Sequence, residues 1–238
     1  MASRDFAALS LRRAARARRL AGRFPESAEA LHFFAAIAEF QTSVPPDDPL
    51  SRRESLVDLI QAHGTPLLRG VAGSLDHNRL ERAMEAYLSF DDTSSPASLF
   101  ARVLLQPQAD AIPEPQHVAD GRCPYCGHRP QVGCLSAEGD GTALVLVCSL
   151  CLRRWPFGRD RCSACLAEGE ASQAYYSADS LPHIRAHTCE ECQSYLHLVN
   201  LEADPEAIPE VDELAALALD VAMRERGYTK KQPNLIGI

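Results

Sequence analysis

The chain carries nine cysteines, and all of them fall between Cys123 and Cys192. Eight form four Cys-x-x-Cys pairs: Cys123/Cys126, Cys148/Cys151, Cys162/Cys165 and Cys189/Cys192. Two residues between cysteines let both sulfurs of a tight turn point at one cation, while N–H groups of the turn donate to the sulfurs. One pair is half of a tetrahedral site, so a second pair must close it. Cys126 and Cys148 are separated by 21 residues and Cys165 and Cys189 by 23, each interval long enough for a β-hairpin. This is the zinc-ribbon or rubredoxin arrangement, twice in a row. Cys123 to Cys162 is 39 positions and Cys148 to Cys189 is 41. Two four-cysteine modules related by duplication account for both offsets. The simplest pairing is sequential, the first pair with the second and the third with the fourth; a cross-braced pairing is the alternative.

Eight ligands in two groups imply two metal ions. Four thiolates close a coordination sphere and leave no position for an activated water, so the sites are structural or electron-carrying rather than hydrolytic. A tetrahedral all-sulfur set suits zinc or iron. Cys123-Pro124-Tyr125-Cys126-Gly127 has the Pro and Gly of a rubredoxin knuckle, whereas the other three pairs lack that Gly; availability inclines the sequence by itself slightly to zinc. A secreted disulfide protein would spread its cysteines, and a redox dithiol needs one pair in a strand–helix context. Cys134 is expected to be a small buried residue. His128, His183 and His187 are expected at the polar surface or behind the sulfurs, because eight cysteines already suffice. Trp155 and Phe157 should pack the small ribbon core. Arg153, Arg154, Arg159 and Arg161 form a basic cluster in sequence. It reads either as a docking patch for an acidic partner or nucleic acid, or as a solvated loop offsetting the charge of a thiolate-rich site. The chain has no Ser-His-Asp signature, P-loop, GxGxxG or HExxH, so neither an enzyme nor a small-molecule substrate is expected.

The remaining chain divides by composition. With 238 residues, 46% apolar and 24% charged, it has the material for a folded core. A net charge of −8 weighs against a dedicated nucleic-acid binder. No run is apolar enough to span a membrane, and no signal peptide is expected. The Arg-rich stretch Leu11–Arg23 reads as a folded amphipathic helix rather than a transit peptide. Residues 1–106 are expected to form a helical domain. Its helices include one with Leu31, Phe34, Ala35 and Ala38 at helical spacing, one after a Ser51/Glu54 capping box and ending near Gly64, and others near 76–90 and 96–106. Residues 107–122, with Pro107, Pro113, Pro115 and Gly121, read as a linker. The first four-cysteine module is placed at 123–161 and the second at 162–203, with strands at 142–147, 174–176 and 195–199. Residues 204–238 hold a final helix from about Pro209 to Arg226, with Val211, Leu214, Leu217 and Val221 as its apolar stripe, and a tail. The fold class expected is α+β: a helical bundle, two tandem rubredoxin-like or zinc-ribbon modules, and a C-terminal helix.

Cys123-Pro-Tyr-Cys-Gly-His-Arg-Pro130, Cys148-Ser-Leu-Cys-Leu-Arg-Arg-Trp155, Arg161-Cys-Ser-Ala-Cys165 and Cys189-Glu-Glu-Cys-Gln-Ser-Tyr-Leu196 occur in this order. With Arg12-Arg13-Ala14, Phe33-Phe34-Ala35, Asp212–Asp220 and Glu225-Arg-Gly-Tyr228, they resemble the formate dehydrogenase accessory proteins of FdhE type over most of the chain. The resemblance implies a cytoplasmic accessory factor for maturation or quality control. Such a factor binds the catalytic subunit of a respiratory formate dehydrogenase. The family's sites resemble rubredoxin and hold iron, which moves the expected metal to iron over zinc. The chain is expected to be shorter at its N-terminus than longer members of the family. The competing classes are a zinc-ribbon nucleic-acid-binding protein and a rubredoxin-like electron-transfer component.

Overall fold

The computed structural model describes residues 5–91, 95–112, 120–139 and 141–237. Helix α1, Phe6–Arg23, starts where the Asp5 carboxylate accepts the Ala8 N–H at 2.9 Å. Its buried side is small at Ala14, Ala17 and Ala21, which lets it lie close along α2, Ala28–Gln41. Helix α2 buries Leu31, Phe33, Phe34, Ile37 and Phe40, on two faces as its sequence pattern requires. Pro49–Arg52 is a 3-10 turn and α3, Arg53–His63, begins only after it, so the expected capping box does not form. The Ser51 hydroxyl donates instead to Asp48 O at 2.6 Å. Pro66, with Thr65 as cap, opens a further short helix, α4, Pro66–Ala72. Helices α5, His77–Leu88, and α6, Pro96–Leu105, follow the periodicity, capped by Asp76 and Ser95. Helix α6 buries every residue from Ser98 to Leu105. A 3-10 helix, Gln106–Ala111, then enters the expected linker, of which 113–119 lie outside the described residues.

Among the described residues, seven strands make one sheet: β1 Pro130–Glu138, β2 Gly141–Cys148, β3 Arg154–Phe157, β4 Gln173–Ser177, β5 Ile184–Cys189, β6 Ser194–Asn200 and β7 Thr229–Lys230. The order is β3-β2-β1-β6-β5-β4, with β7 beside β6. Each half is a knuckle, a hairpin, a second knuckle and a third strand. The first half is the antiparallel set β1-β2-β3 and the second is β4-β5-β6. The halves join where β1 runs parallel to β6, Gly133 opposite Leu198. A Cβ at Gly133 would lie 2.5 Å from Leu198 Cδ2 and 3.0 Å from Leu144 Cδ1, so those side chains would have to shift to admit one. Strands β1, β3 and β5 escape a periodicity reading: β1 and β5 are buried nearly throughout and do not alternate, and β3 is four residues long.

The C-terminal helix is interrupted. Helix α7, Pro209–Asp212, passes through a 3-10 turn, Glu213–Ala216, into α8, Leu217–Glu225. The tighter turn rotates the following face, so Val221 is 53% exposed while Leu219 and Met223 are buried. Leu217 is only half-buried, and the stripe runs Val211, Leu214, Leu219, Met223. One continuous apolar cluster reaches from Ala14 in α1 through Leu146 and Val199 in the sheet to Ile236 in the tail. Among the described residues, no helix is long and apolar enough to cross a membrane.

Candidate metal centres

The fold gathers the eight paired cysteines into two groups, and the grouping is sequential. Cys123, Cys126, Cys148 and Cys151 lie with all sulfurs within 4.8 Å of one another, as do Cys162, Cys165, Cys189 and Cys192. In the first group the sulfurs of Cys123 and Cys151 are 3.5 Å apart and those of Cys126 and Cys148 are 3.3 Å apart. In the second, Cys162–Cys192 is 3.8 Å and Cys165–Cys189 is 3.6 Å. These are far beyond the disulfide length of about 2.05 Å. A tetrahedron with metal–sulfur bonds of about 2.3 Å has edges of about 3.8 Å, so a tetrahedral ion of this size fits both groups.

The four knuckles share one backbone form. The residue after each second cysteine is left-handed: Gly127 at φ 76°, Leu152 at 54°, Leu166 at 66° and Gln193 at 50°. In three knuckles the N–H of the first cysteine donates to the carbonyl five residues on, Cys123 to His128, Cys148 to Arg153 and Cys162 to Ala167. Leu150 N–H reaches Cys148 Sγ at 3.4 Å and Ala164 N–H reaches Cys162 Sγ at 3.3 Å. These N–H groups meet the sulfurs as thiolate ligation requires. Glycine at this position is therefore not what makes a knuckle here. At Gly127 a Cβ would also stand 2.8 Å from the Phe90 ring, which would have to shift.

The surroundings of the two groups differ. All four cysteines of the first are buried, between the sheet and α5–α6. Ser149 O, inside the second knuckle, accepts from Arg102 Nε at 2.9 Å and Gln106 Nε2 at 2.8 Å. His128, after the first knuckle, stacks on Tyr87 at 4.8 Å with Nε2 3.0 Å from Tyr87 O. In the second group Cys165 is exposed and Cys192 half-exposed, and the Ser194 hydroxyl lies 2.9 Å from Cys192 Sγ. Crowding splits the thiols of the first group. Hydrogen bonds from Cys123 and Cys148 hold Cys126 low, while burial pushes Cys148 up. A cation would replace the protons so shared.

None of the flagged histidines joins either group, and all three are buried; His128 stands behind the first group, its Nδ1 3.1 Å from Cys126 O, as one branch of the expectation has it. His183 Nε2 meets Asp212 Oδ1 at 3.1 Å, in a cluster with Arg16 and Asp204. Arg16 occupies the acids of that cluster, which is an ion-pair set. His187 stacks on Tyr175 at 4.8 Å. Cys134 is buried in β1, its thiol pushed up by burial. Trp155 is buried in the core, as expected. The four arginines stand in two places. Arg153, its guanidinium 4.8 Å above the Tyr125 ring, and Arg154 face a cleft against α1. Arg161 pairs with Asp120 and Glu168 near the third knuckle, and Arg159 donates to Thr142 O.

A buried ionic group behind β6 has no counterpart in the sequence reading. Lys230 Nζ, on β7, lies 3.0 Å from Glu213 Oε2 and 3.3 Å from Asp220 Oδ1. Tyr195 OH donates to Asp220 Oδ1 at 2.7 Å, and His197 Nε2 is 3.4 Å from the same oxygen. Burial would lower the Lys230 pKa, but the two carboxylates outweigh it and raise it. Burial drives His197 down to about 3, which leaves it neutral. The available signal was Glu210, Glu213 and Asp220 on the apolar side of the final helix.

The arrangement of two four-cysteine groups on one fused sheet under a helical layer has relatives. The crystal structure of the FdhE protein from Pseudomonas aeruginosa superposes with a TM-score of 0.71 at 26% identity, over 97% of this chain and 96% of that one. The chain is FdhE-like. The family model for the FdhE C-terminal domain matches residues 161–236, which contain the second four-cysteine group and the ionic group behind β6. A protein FdhE homolog of Aquifex aeolicus (strain VF5) is 28% identical over 191 residues, 76% of this chain and 68% of that protein. One of Pseudomonas aeruginosa is 39% identical over 119 residues, 48% of this chain and 38% of that protein. The FdhE-like segment thus spans about two thirds of the first relative and under half of the second.

Proposed function

We propose that the chain is an accessory factor for a respiratory formate dehydrogenase. It acts in the cytoplasm, binds the catalytic subunit during maturation or quality control, and performs no catalysis of its own. The observation that carries this reading is the FdhE likeness along 97% of the chain. Cys123, Cys126, Cys148 and Cys151 would hold one metal ion, and Cys162, Cys165, Cys189 and Cys192 the other. Iron of rubredoxin type is the first choice on family likeness, with zinc as the alternative. Bound metal would supply folding energy, and iron would add a one-electron couple. The division into a helical unit 1–106, a linker 107–122, ribbons 123–161 and 162–203, and a C-terminal unit 204–238 belongs to this proposal.

A nucleic-acid-binding reading needs the four ribbon arginines as one surface, and they face two. The test is retention of a formate dehydrogenase catalytic subunit from the same organism on the immobilised, metal-loaded chain. Retention together with two metal equivalents per chain is expected. A catalytic subunit that passes through unretained overturns the reading.

A further inference from the structure

A cleft of about 1680 Å³ runs between the exposed side of α1 and the tip of the first four-cysteine group. It is larger than the roughly 300–1,000 Å³ of a small-molecule pocket, so a polypeptide segment fits its scale. Asp5, Ala8, Arg12, Ala15 and Arg19 recur along α1 at helical spacing and line one side. Tyr125, from the first knuckle, and Leu152, Arg153 and Arg154, which follow the second, line the other. The lining also holds apolar side chains, among them Ile112 and Ile208.

The charges in this cleft are not balanced. Its acids are committed: Asp5 caps α1, Glu206 pairs with Arg19 at 2.9 Å, and Glu210 faces Arg13 at 3.6 Å. Arg12 and Arg154 are exposed and pair with no acid among the described residues. Two planar guanidinium groups in a cleft that also presents apolar side chains suit carboxylates carried on a chain with apolar side chains between them. A phosphodiester backbone suits it less, since it carries no apolar side chains to set against Ile112 and Ile208. The left-handed turn at Leu152 aims Arg153 and Arg154 into the cleft, and that turn is part of the first four-cysteine group.

We propose that the cleft is the docking site for an extended acidic segment of a partner polypeptide, and that the first four-cysteine group sets one of its walls. This rests on the accessory-factor reading, with the client's catalytic subunit as the partner. It assigns the buried metal centre a part in recognition without contact between metal and partner.

The test measures binding of the catalytic subunit to the metal-loaded full chain, to the double variant Arg12→Glu/Arg154→Glu, and to Arg82→Glu, an exposed change on α5 outside the cleft. The neutral pair Arg12→Gln/Arg154→Gln serves if charge reversal disturbs folding. Two metals per chain and an unchanged melting temperature certify each variant. Binding is expected to weaken at least about tenfold in the double variant, with a shallower salt dependence, and to be unchanged in Arg82→Glu. An acid-rich segment of the subunit should gain hydrogen-exchange protection in the wild-type complex only. Equal binding by the double variant, equal loss in Arg82→Glu, or a complex abolished by nuclease overturns the cleft assignment and leaves the accessory reading standing. No binding by the wild-type chain overturns both.

Discussion

The two four-cysteine groups repeat one backbone design in opposite settings. The first is sealed between a helical layer and the sheet, and its knuckles carry side chains and carbonyls that the helices use. The second has Cys165 in solvent, and its knuckles meet the turn at Gly121 and the Tyr228–Thr229 segment. The knuckle is the same in both groups, and what surrounds it differs. A four-cysteine group in the first position fixes the tertiary structure, because Arg102 and Gln106 of the helical layer end on Ser149. In the second position it fixes a hairpin end. The largest test of this contrast is loss of a ligand. Cys123→Ser should empty the first group and destabilise the whole chain by at least about 4 kcal/mol, since a structural metal supplies folding energy directly. Cys165→Ser should lower metal content as far while leaving most of the melting transition in place. Equal melting losses would break the comparison. A chelator should empty the exposed group first, giving two phases of metal release.

The next effect sits at the junction that only the first group has. Arg102 is buried and donates to Ser149 O, to Pro233 O at 2.7 Å and to Gln131. Arg102→Met leaves Pro233 O and Gln131 without this donor and Ser149 O with Gln106 alone, and should cost roughly 3–5 kcal/mol in denaturant unfolding. Metal release from the first group should speed up and release from the second should not. A variant in which both accelerate equally would show that the helices support the sheet as a whole.

Acid should act on the other side of the contrast. The second group rests on β6, and β6 lies over the ionic group of His197, Asp220, Glu213 and Lys230. His197 titrates near 3 in the folded chain and near 6.5 when unfolded. Its folded pKa is depressed, so the stability it carries is complete above 6.5 and falls as pH drops toward 3, by roughly 1.4 kcal/mol per unit. Asp220, lowered chiefly by Lys230 against the cost of burial, acts in the same direction below its ordinary range. His197→Gln should flatten stability between pH 6.5 and 5. Unfolding followed in denaturant across that range checks it, with an unchanged slope as the contrary result.

Much of the metal geometry was legible because four Cys-x-x-Cys pairs at matched intervals leave few ways to close two tetrahedra. The long helices were legible from capping and apolar spacing, as at Ser95 and Pro96. The fused sheet was not, because β1 and β5 are buried and show no alternation. Nor was the seam between helices and sheet. Arg16 and Asp212 are 196 positions apart, and nothing local marks them as partners. The four ribbon arginines are close in sequence, yet Arg153 and Arg154 line the cleft beside α1, while Arg159 reaches Thr142 and Arg161 pairs beside the third knuckle. Nearness along the chain tells of their shared charge and not of their facing.

The smallest effect is the sharpest on the knuckle itself. Leu152 and Gln193 occupy the same left-handed position in the two groups, and glycine would relieve each backbone by up to about 1 kcal/mol. The side chains then decide the sign. Gln193 is exposed and contributes one hydrogen bond to Glu190 O. Leu152 is 6% exposed, so its removal costs roughly 1.5–3 kcal/mol of apolar burial. Gln193→Gly should therefore raise the melting temperature slightly, and Leu152→Gly should lower it. If both rise, the surroundings of the first group contribute less than its burial indicates; if both fall, the left-handed residue is not under strain in either knuckle.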